Sequence, residues 1–419
     1  AVYSDFGFFN SLNRAGIYDL NIDLNSNINI PYNLKATQIG LLAGTSTNSK
    51  FENINFNIIS HNFTVNQDSS KSASYRNTVY LGLLSGKLVE KNIIKNISFT
   101  LDNVQMGTKT EEPTDKKYHS LGLVAGEMLN ESKERIIIDN ITANLNNSEL
   151  YVNTEGVNGK IGGLIGGAKF VDVSNSLVSL TNSSLKITSS NNLNTGYLGL
   201  VAGGIVGFAN PASDNNTSNN MPGVTVKSTK FISKNDNNIE VISAKETKGG
   251  GVNAGGIAGL TFNNAVIENC EVNIVNGTII AERSEEDTTE AAYGAHAGGI
   301  AGRVEHTGVI SSSTVKGTNL NIIASSTEKN IYAGGICGII IGPIHRDVNS
   351  LENNKIEGNG STNIYLKIKN NLYQNTKFGI GALAGAADYI IKDNEANKAK
   401  DLKNYKIGIL KDKKSPEGY

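Results

Sequence analysis

The chain has 419 residues with 45 glycines, 6 prolines and no tryptophan, and its 38 basic residues nearly balance 39 acidic ones. A net charge of −1 gives no field to hold nucleic acid or an anionic membrane surface, and no apolar run of about 18 residues is present to cross a bilayer as a helix. Asn, Ser and Thr fill the spaces between apolar runs, a composition that suits many short strands and starves a single large globular core of aromatic bulk.

Residues 1–38 open with Asp5-Phe-Gly-Phe-Phe9 and continue into Gly16-Ile-Tyr-Asp-Leu-Asn-Ile-Asp-Leu24. Downstream, a five-residue block, Gly-x-x-x-Gly with a branched aliphatic residue inside, recurs nine times. Its copies begin at Gly40, Gly82, Gly122, Gly162, Gly199, Gly255, Gly298, Gly334 and Gly381, in steps of 36 to 56 residues. A loose period of this size means one structural unit stacked on itself, and the first 38 residues read as a worn first copy. No charged residue occurs from the position before the first glycine to the second glycine in any copy, so both faces of this strand are expected to be covered. Ala254, Ala297 and Ala333 stand before three later blocks where earlier ones have Ile or Leu, which means either a narrowing core or a flat face on which something packs.

After each block comes an apolar residue, any residue, and a short polar residue. The polar positions are Asp19, Asn53, Asn96, Asn140, Asn175, Ser228, Asn269, Ser312, Asn353 and Asp393. These side chains bond nearby backbone, and Asn and Asp tolerate the left-handed conformation of a sharp bend, so the ten are expected to stack as an internal ladder. Alternating segments follow, such as Ile54-Asn-Phe-Asn-Ile58 and Ile97-Ser-Phe-Thr-Leu101, with the period of strands that have one wet and one dry face. The expected fold is all-β, a right-handed parallel β-helix of about ten repeats over residues 1–395, with 396–419 as a cap or linker. Polar stretches at 106–117, 146–160, 209–222, 233–248 and 281–292 are expected to be projecting loops.

Cys270 takes the place of Ile54, Ile97 and Ile141, and Cys337 that of Ala, Ser or Ile, so both read as buried small hydrophobes. The five histidines show no metal-ligand spacing, and His296 and His306 read as surface or turn residues. No nucleophile elbow, phosphate loop, EF-hand or calcium nonapeptide occurs; no catalytic residue, metal or cofactor is expected. Tyr80, Tyr197 and Tyr332 each stand two residues before a block. They are the candidates for a sugar-stacking stripe, with strand-edge packing as the alternative.

The Gly-Leu-Val-Ala-Gly and Gly-Gly-Ile-Ala-Gly blocks, each followed by an Asn-centred bend and an alternating strand, resemble the GLUG-type repeats of bacterial cell-surface proteins over residues 1 to about 395. The resemblance implies a β-solenoid secreted or displayed at the bacterial surface, the stalk or passenger of an adhesin or autotransporter, with leader and anchor outside this segment. Its partners would be a host surface protein or glycan, or another surface protein, with no nucleic acid and no direct membrane insertion in this segment. A polysaccharide lyase or hydrolase on a β-helix scaffold is the alternative. Asn96-Ile-Ser98 and Asn140-Ile-Thr142 match the glycosylation pattern, but as internal ladder positions these asparagines are expected to have no room for a sugar.

Overall fold

The computed structural model describes residues 5–25, 38–67, 78–110, 118–130, 134–154, 158–189, 199–210, 223–243, 251–262, 264–283, 294–305, 308–326, 330–341, 349–358, 362–368, 378–387, 390–392, 395–396 and 405–411. Among these residues the regular structure is strand throughout, without a helix. Two sheets have ten strands each and a third has 22, with parallel pairing between successive repeats. The chain visits the three sheets in rotation and pairs each time with the strand laid down one repeat earlier. The result is an all-β arrangement compatible with a parallel β-helix. Gly7 occupies the first block position of the opening copy, because Phe6 pairs with Ile39 and Phe9 with Ala43.

The glycine block is the junction between the first two sheets. Its first glycine ends a strand of sheet one, such as Val79–Gly82, and its second lies in a strand of sheet two, such as Ser85–Val89. Both glycines are there because backbone approaches backbone. A Cβ on Gly82 would fall 2.2 Å from the carbonyl oxygen of Ser85, and one on Gly86 would fall 2.3 Å from the amide nitrogen of Ile39, in the preceding repeat. No side chain fits between the two sheets along this line.

Strand register moves one copy of the block. Gly162 pairs with Gly203 and Gly203 with Gly255, so the fifth block is Gly203-Gly-Ile-Val-Gly207. Gly199-Leu-Val-Ala-Gly203 matches the same pattern four residues early. Gly199 instead takes a left-handed φ of 63°, as Gly251 does one repeat later with a φ of 66°.

The nine ladder residues from Asp19 to Asn353 all adopt positive φ between 49° and 57°; Asp393 lies outside the described residues. The bend is as expected, but the side chains point outward and are exposed, so the ladder is external. Asn53, Asn96 and Asn140 each donate Nδ2–H to the Oδ1 of the preceding repeat's residue, at 2.8, 3.1 and 2.8 Å. Asn175 donates instead to Asp139 Oδ1 at 2.9 Å. Asn96 and Asn140 are thus exposed, contrary to the expected lack of room.

The internal polar column is one residue further on. Ser176 Oγ accepts Ile141 N–H, Ser313 Oγ accepts Cys270 N–H and Asn354 Oδ1 accepts Ser313 N–H, at 3.2, 3.1 and 3.0 Å. At a left-handed corner the sheet ladder breaks, and these inward groups satisfy backbone that would otherwise be buried and unpaired. Cys270 belongs to this column. Both cysteines are buried and unpaired with each other, and burial pushes the Cys270 thiol up to about 12 and that of Cys337 higher still.

A second left-handed corner follows seven residues after the first, at Ser60, Asn103, Asn147, Asn182, Asn276 and Asn319; in one repeat Asn235 and Asp236 share it across a register shift. Beyond it the chain returns to the third sheet. Glu149–Thr154 and the second half of Lys230–Ser243 are therefore strand, as is Gln105–Thr110. Much of the sequence expected to form projecting loops buries Met106, Leu150, Val152, Ile239 and Val241. The rest of those stretches includes 111–117 and 211–222, which lie outside the described residues. Tyr405–Lys411 pairs with Thr362–Ile368 and extends the same sheet.

The main core runs between the three sheets. Phe56 and Phe99 stack within it, with centroids 4.9 Å apart. Ala254, Ala297 and Ala333 are fully buried there, so the narrowing core is the alternative that holds. Cβ atoms on Gly256, Gly299 and Gly335 would fall within 2.3–2.8 Å of Val272, Val315 and Ile356 side chains from the opposite sheet. Gly86→Ala is expected to destabilise the fold by about 3–5 kcal/mol, because rigid backbone must move. Gly16→Ala meets only the Tyr18 side chain and should stay within about 0.5 kcal/mol; urea unfolding of both variants makes the comparison.

Candidate functional site

The backbone contact at the glycine blocks has a second effect. The residue two before the first glycine and the residue just after the second stand on the far side of that contact, facing each other across the diverging strands. Sheet one contributes Tyr80, Ser120, Lys160, Val201, Asn253, His296 and Tyr332; sheet two contributes Lys87, Glu127, Gly167, Phe208, Leu260, Arg303 and Ile339. All but Lys87 are buried, and the seam runs beside the main core as a separate strip. Its middle is apolar, where Val201, Phe208 and Leu260 form a cluster of their own.

On either side of that cluster the seam is charged. Lys160 Nζ donates to both carboxylate oxygens of Glu127 at 3.1 and 3.0 Å and lies 5.4 Å from the Phe208 ring centroid, with both charged side chains 3% exposed or less. Glu127 can lie flat there because Gly167 has no side chain; a Cβ would come within 2.5 Å of Oε2. Further along, Arg303 pairs with Glu305, and His296 stacks on Tyr332 at 5.8 Å while its Nδ1 meets Asn253 Oδ1 at 2.7 Å. Burial, then the positive charges of Arg303 and Arg283, hold His296 well below its ordinary value, so it is neutral.

His296 is therefore a core residue, contrary to the expected surface or turn position; His306 lies outside the described residues. His119 is also buried, with Nδ1 2.8 Å from Thr108 Oγ1, and desolvation lowers it to about 4. Tyr80 and Tyr332 are buried in the seam with five other residues between them, and Tyr197 lies outside the described residues. The equivalent position in that repeat is Val201. The structure does not bring the tyrosines to a common surface. Apart from the position that Tyr80 and Tyr332 share, the sequence pattern does not mark the seam, since Lys160, Glu127 and Arg303 look like ordinary solvated strand residues.

The exterior of the third sheet is the other candidate. In the first four repeats it carries three parallel columns: Asp19, Asn53, Asn96, Asn140; then Asn21, Asn55, Ser98, Thr142; then Asp23, Asn57, Thr100, Asn144. Every member has an amide, hydroxyl or carboxylate. Asn55 Nδ2 donates to Asn21 Oδ1 at 2.8 Å, Ser98 Oγ to Asn55 Oδ1 at 2.5 Å and Asn57 Nδ2 to Asp23 Oδ1 at 3.0 Å. In later repeats the same columns hold Lys230, Glu271, Lys316, Lys355 and Glu357, joined as ion pairs. Among the described residues no three His, Cys, Asp or Glu side chains gather as a metal set would require.

No family model matches the chain, and neither the curated proteins nor the solved structures yield a match. The likeness to GLUG-type repeats rests on the residue pattern alone.

Two outcomes test the buried seam. Removing one partner of the Lys160–Glu127 pair, as in Glu127→Gln or Lys160→Met, leaves a buried charge and is expected to cost about 3–5 kcal/mol in urea unfolding. The apolar double replacement Glu127→Leu with Lys160→Met should recover most of that loss. His119 binds its proton in the unfolded chain near 6.5 but in the fold only near 4, so its contribution is complete above about pH 6.5 and is lost as pH falls toward 4. Over that window the wild type should lose about 3 kcal/mol from this group, and His119→Gln should flatten the dependence; unfolding curves at pH 7 and 4.5 measure it.

Proposed function

We propose that this chain is a right-handed parallel β-helix of about ten coils that serves as a bacterial surface rod, an adhesin or stalk presenting a binding face to a host protein or glycan. Ten coils at ~4.8 Å per parallel strand give a rod of about 45 Å. The observation that carries the proposal is the in-register stack itself. Left-handed corners fall at the same places in successive repeats, which favours a stiff spacer whose exterior columns are held in fixed rows. Such a rod displays side chains at a distance from its anchor, and its polar exterior keeps that surface hydrated. The segment lies at the cell surface or is secreted.

The test pairs adhesion with turnover. Labelled chain added to host-cell monolayers is expected to bind saturably, and the same preparation incubated with polysaccharides should release no reducing ends. Reducing-end release without adhesion would overturn the proposal in favour of a polysaccharide-cleaving enzyme.

A further inference from the structure

We infer that the amide-rich exterior of the first four repeats is a docking face for a neutral oligosaccharide. The inference rests on the surface-binding role proposed above and assigns that role to one patch.

Three observations point to this partner. The patch is local: Asn21, Asn55, Asn57 and Ser98 lie on columns that carry ion-paired lysines and glutamates from the sixth repeat onward, at Lys230, Glu271 and Lys316. At these positions the first four repeats have no lysine, arginine or glutamate, and the two charged members, Asp19 and Asp23, repel a polyanion; Glu52, Lys95 and Asp139 continue the flanking column of Tyr18, with Lys50 paired to Glu52, and Ile59 is exposed beside Asn57. The columns hold ten amides and hydroxyls beside the two carboxylates, a mostly uncharged hydrogen-bonding field that matches a polyhydroxyl chain.

The side chains are also pre-ordered. Asn55 gives one N–H to Asn21 and accepts from Ser98, and Asn57 gives one N–H to Asp23. A primary amide has two N–H groups and two lone pairs, so each ladder bond leaves capacity directed away from the sheet. Groups already fixed by their neighbours lose little rotamer freedom when a ligand docks. Hydroxyls along a sugar chain laid across the strands would meet rows repeating every ~4.8 Å.

An aromatic platform borders the patch. Tyr18 is 50% exposed, lies over Gly16, whose missing Cβ would fall 2.5 Å from the ring, and sits 5.3 Å from Lys50 Nζ. A half-exposed ring beside an amide field, with the Lys50 ammonium over it, offers carbon surface for the C–H side of a sugar and polar groups for its hydroxyls.

An array of neutral, sialylated and sulfated glycans, probed with the wild type and three variants, decides it. The wild type should be retained on neutral oligosaccharides. Asn55→Lys with Asn57→Lys, and separately Tyr18→Ala, should weaken retention at least about tenfold, while Lys316→Asn on the distant repeats should leave it unchanged. These positions lie on the exterior, and circular dichroism confirms that each variant folds. Retention only on anionic glycans, on none, or on neutral glycans regardless of the Asn55 and Asn57 replacements would overturn the inference. Host-cell adhesion of the same samples separates the two ideas. Adhesion that persists in the double variant removes the amide face and leaves the surface role, whereas neutral-glycan binding by a wild type that does not adhere to cells removes the surface role alone.

Discussion

The contact on which this architecture depends is backbone against backbone where the first two sheets meet. A strand pair normally keeps about 10 Å from the sheet it packs on, because side chains interdigitate between them. Here the second glycine of each block lets the amide plane of one sheet rest on that of the other, and the reversal takes five residues. The cost is that any side chain at these positions is excluded. The gain is a junction repeated in every copy, which fixes both the direction of the chain into the third sheet and the width of the core.

That contact also explains why a strip of charged and aromatic residues is enclosed. Side chains on the far side of the glycine line have nowhere to go except toward one another. In the middle of the seam the solution is apolar, as with Val201 and Phe208. Where Glu127 and Lys160 stand, the ion pair must do the same filling, helped by Gly167 beneath the carboxylate and the Phe208 ring beside the ammonium. A buried pair of this kind is weak evidence for added stability, since an apolar pair of similar volume often does as well.

Much of this was legible in the sequence. Glycine recurrence marked the junction, and short polar residues from Asp19 to Asn353 marked the first corner, because left-handed backbone leaves few alternatives to Asn, Asp and Ser. The direction of those side chains was not legible, since a bend does not say which side of it faces water. The second corner carried the same signal at Asn103, Asn147, Asn182, Asn276 and Asn319, but Asn147, like Asn235 and Asp236, sat inside a stretch whose polarity reads as loop. Leu150 and Val152 alternate with only three or four residues of context, too short for a period to stand out. The seam left one trace, the position two before the block that Tyr80 and Tyr332 share. Its burial comes from two strands far apart in composition being forced together, and a lone Lys160 or His296 reads the same whether water or Phe208 lies above it.

The external amide ladder has one further property. Its donors run in a single sense, each Asn reaching back to the preceding repeat, as Asn140 to Asn96, Asn96 to Asn53, and Asn319 to Asn276. Head-to-tail amides sum their dipoles, so the columns are electrically polarised along the rod, positive toward the beginning of the chain. Asp19 and Asp23 receive the first of these bonds, and their carboxylates set negative charge at the positive pole. The stack thereby acquires the asymmetry of a helix with an acidic first turn, in a molecule whose described residues include no helix.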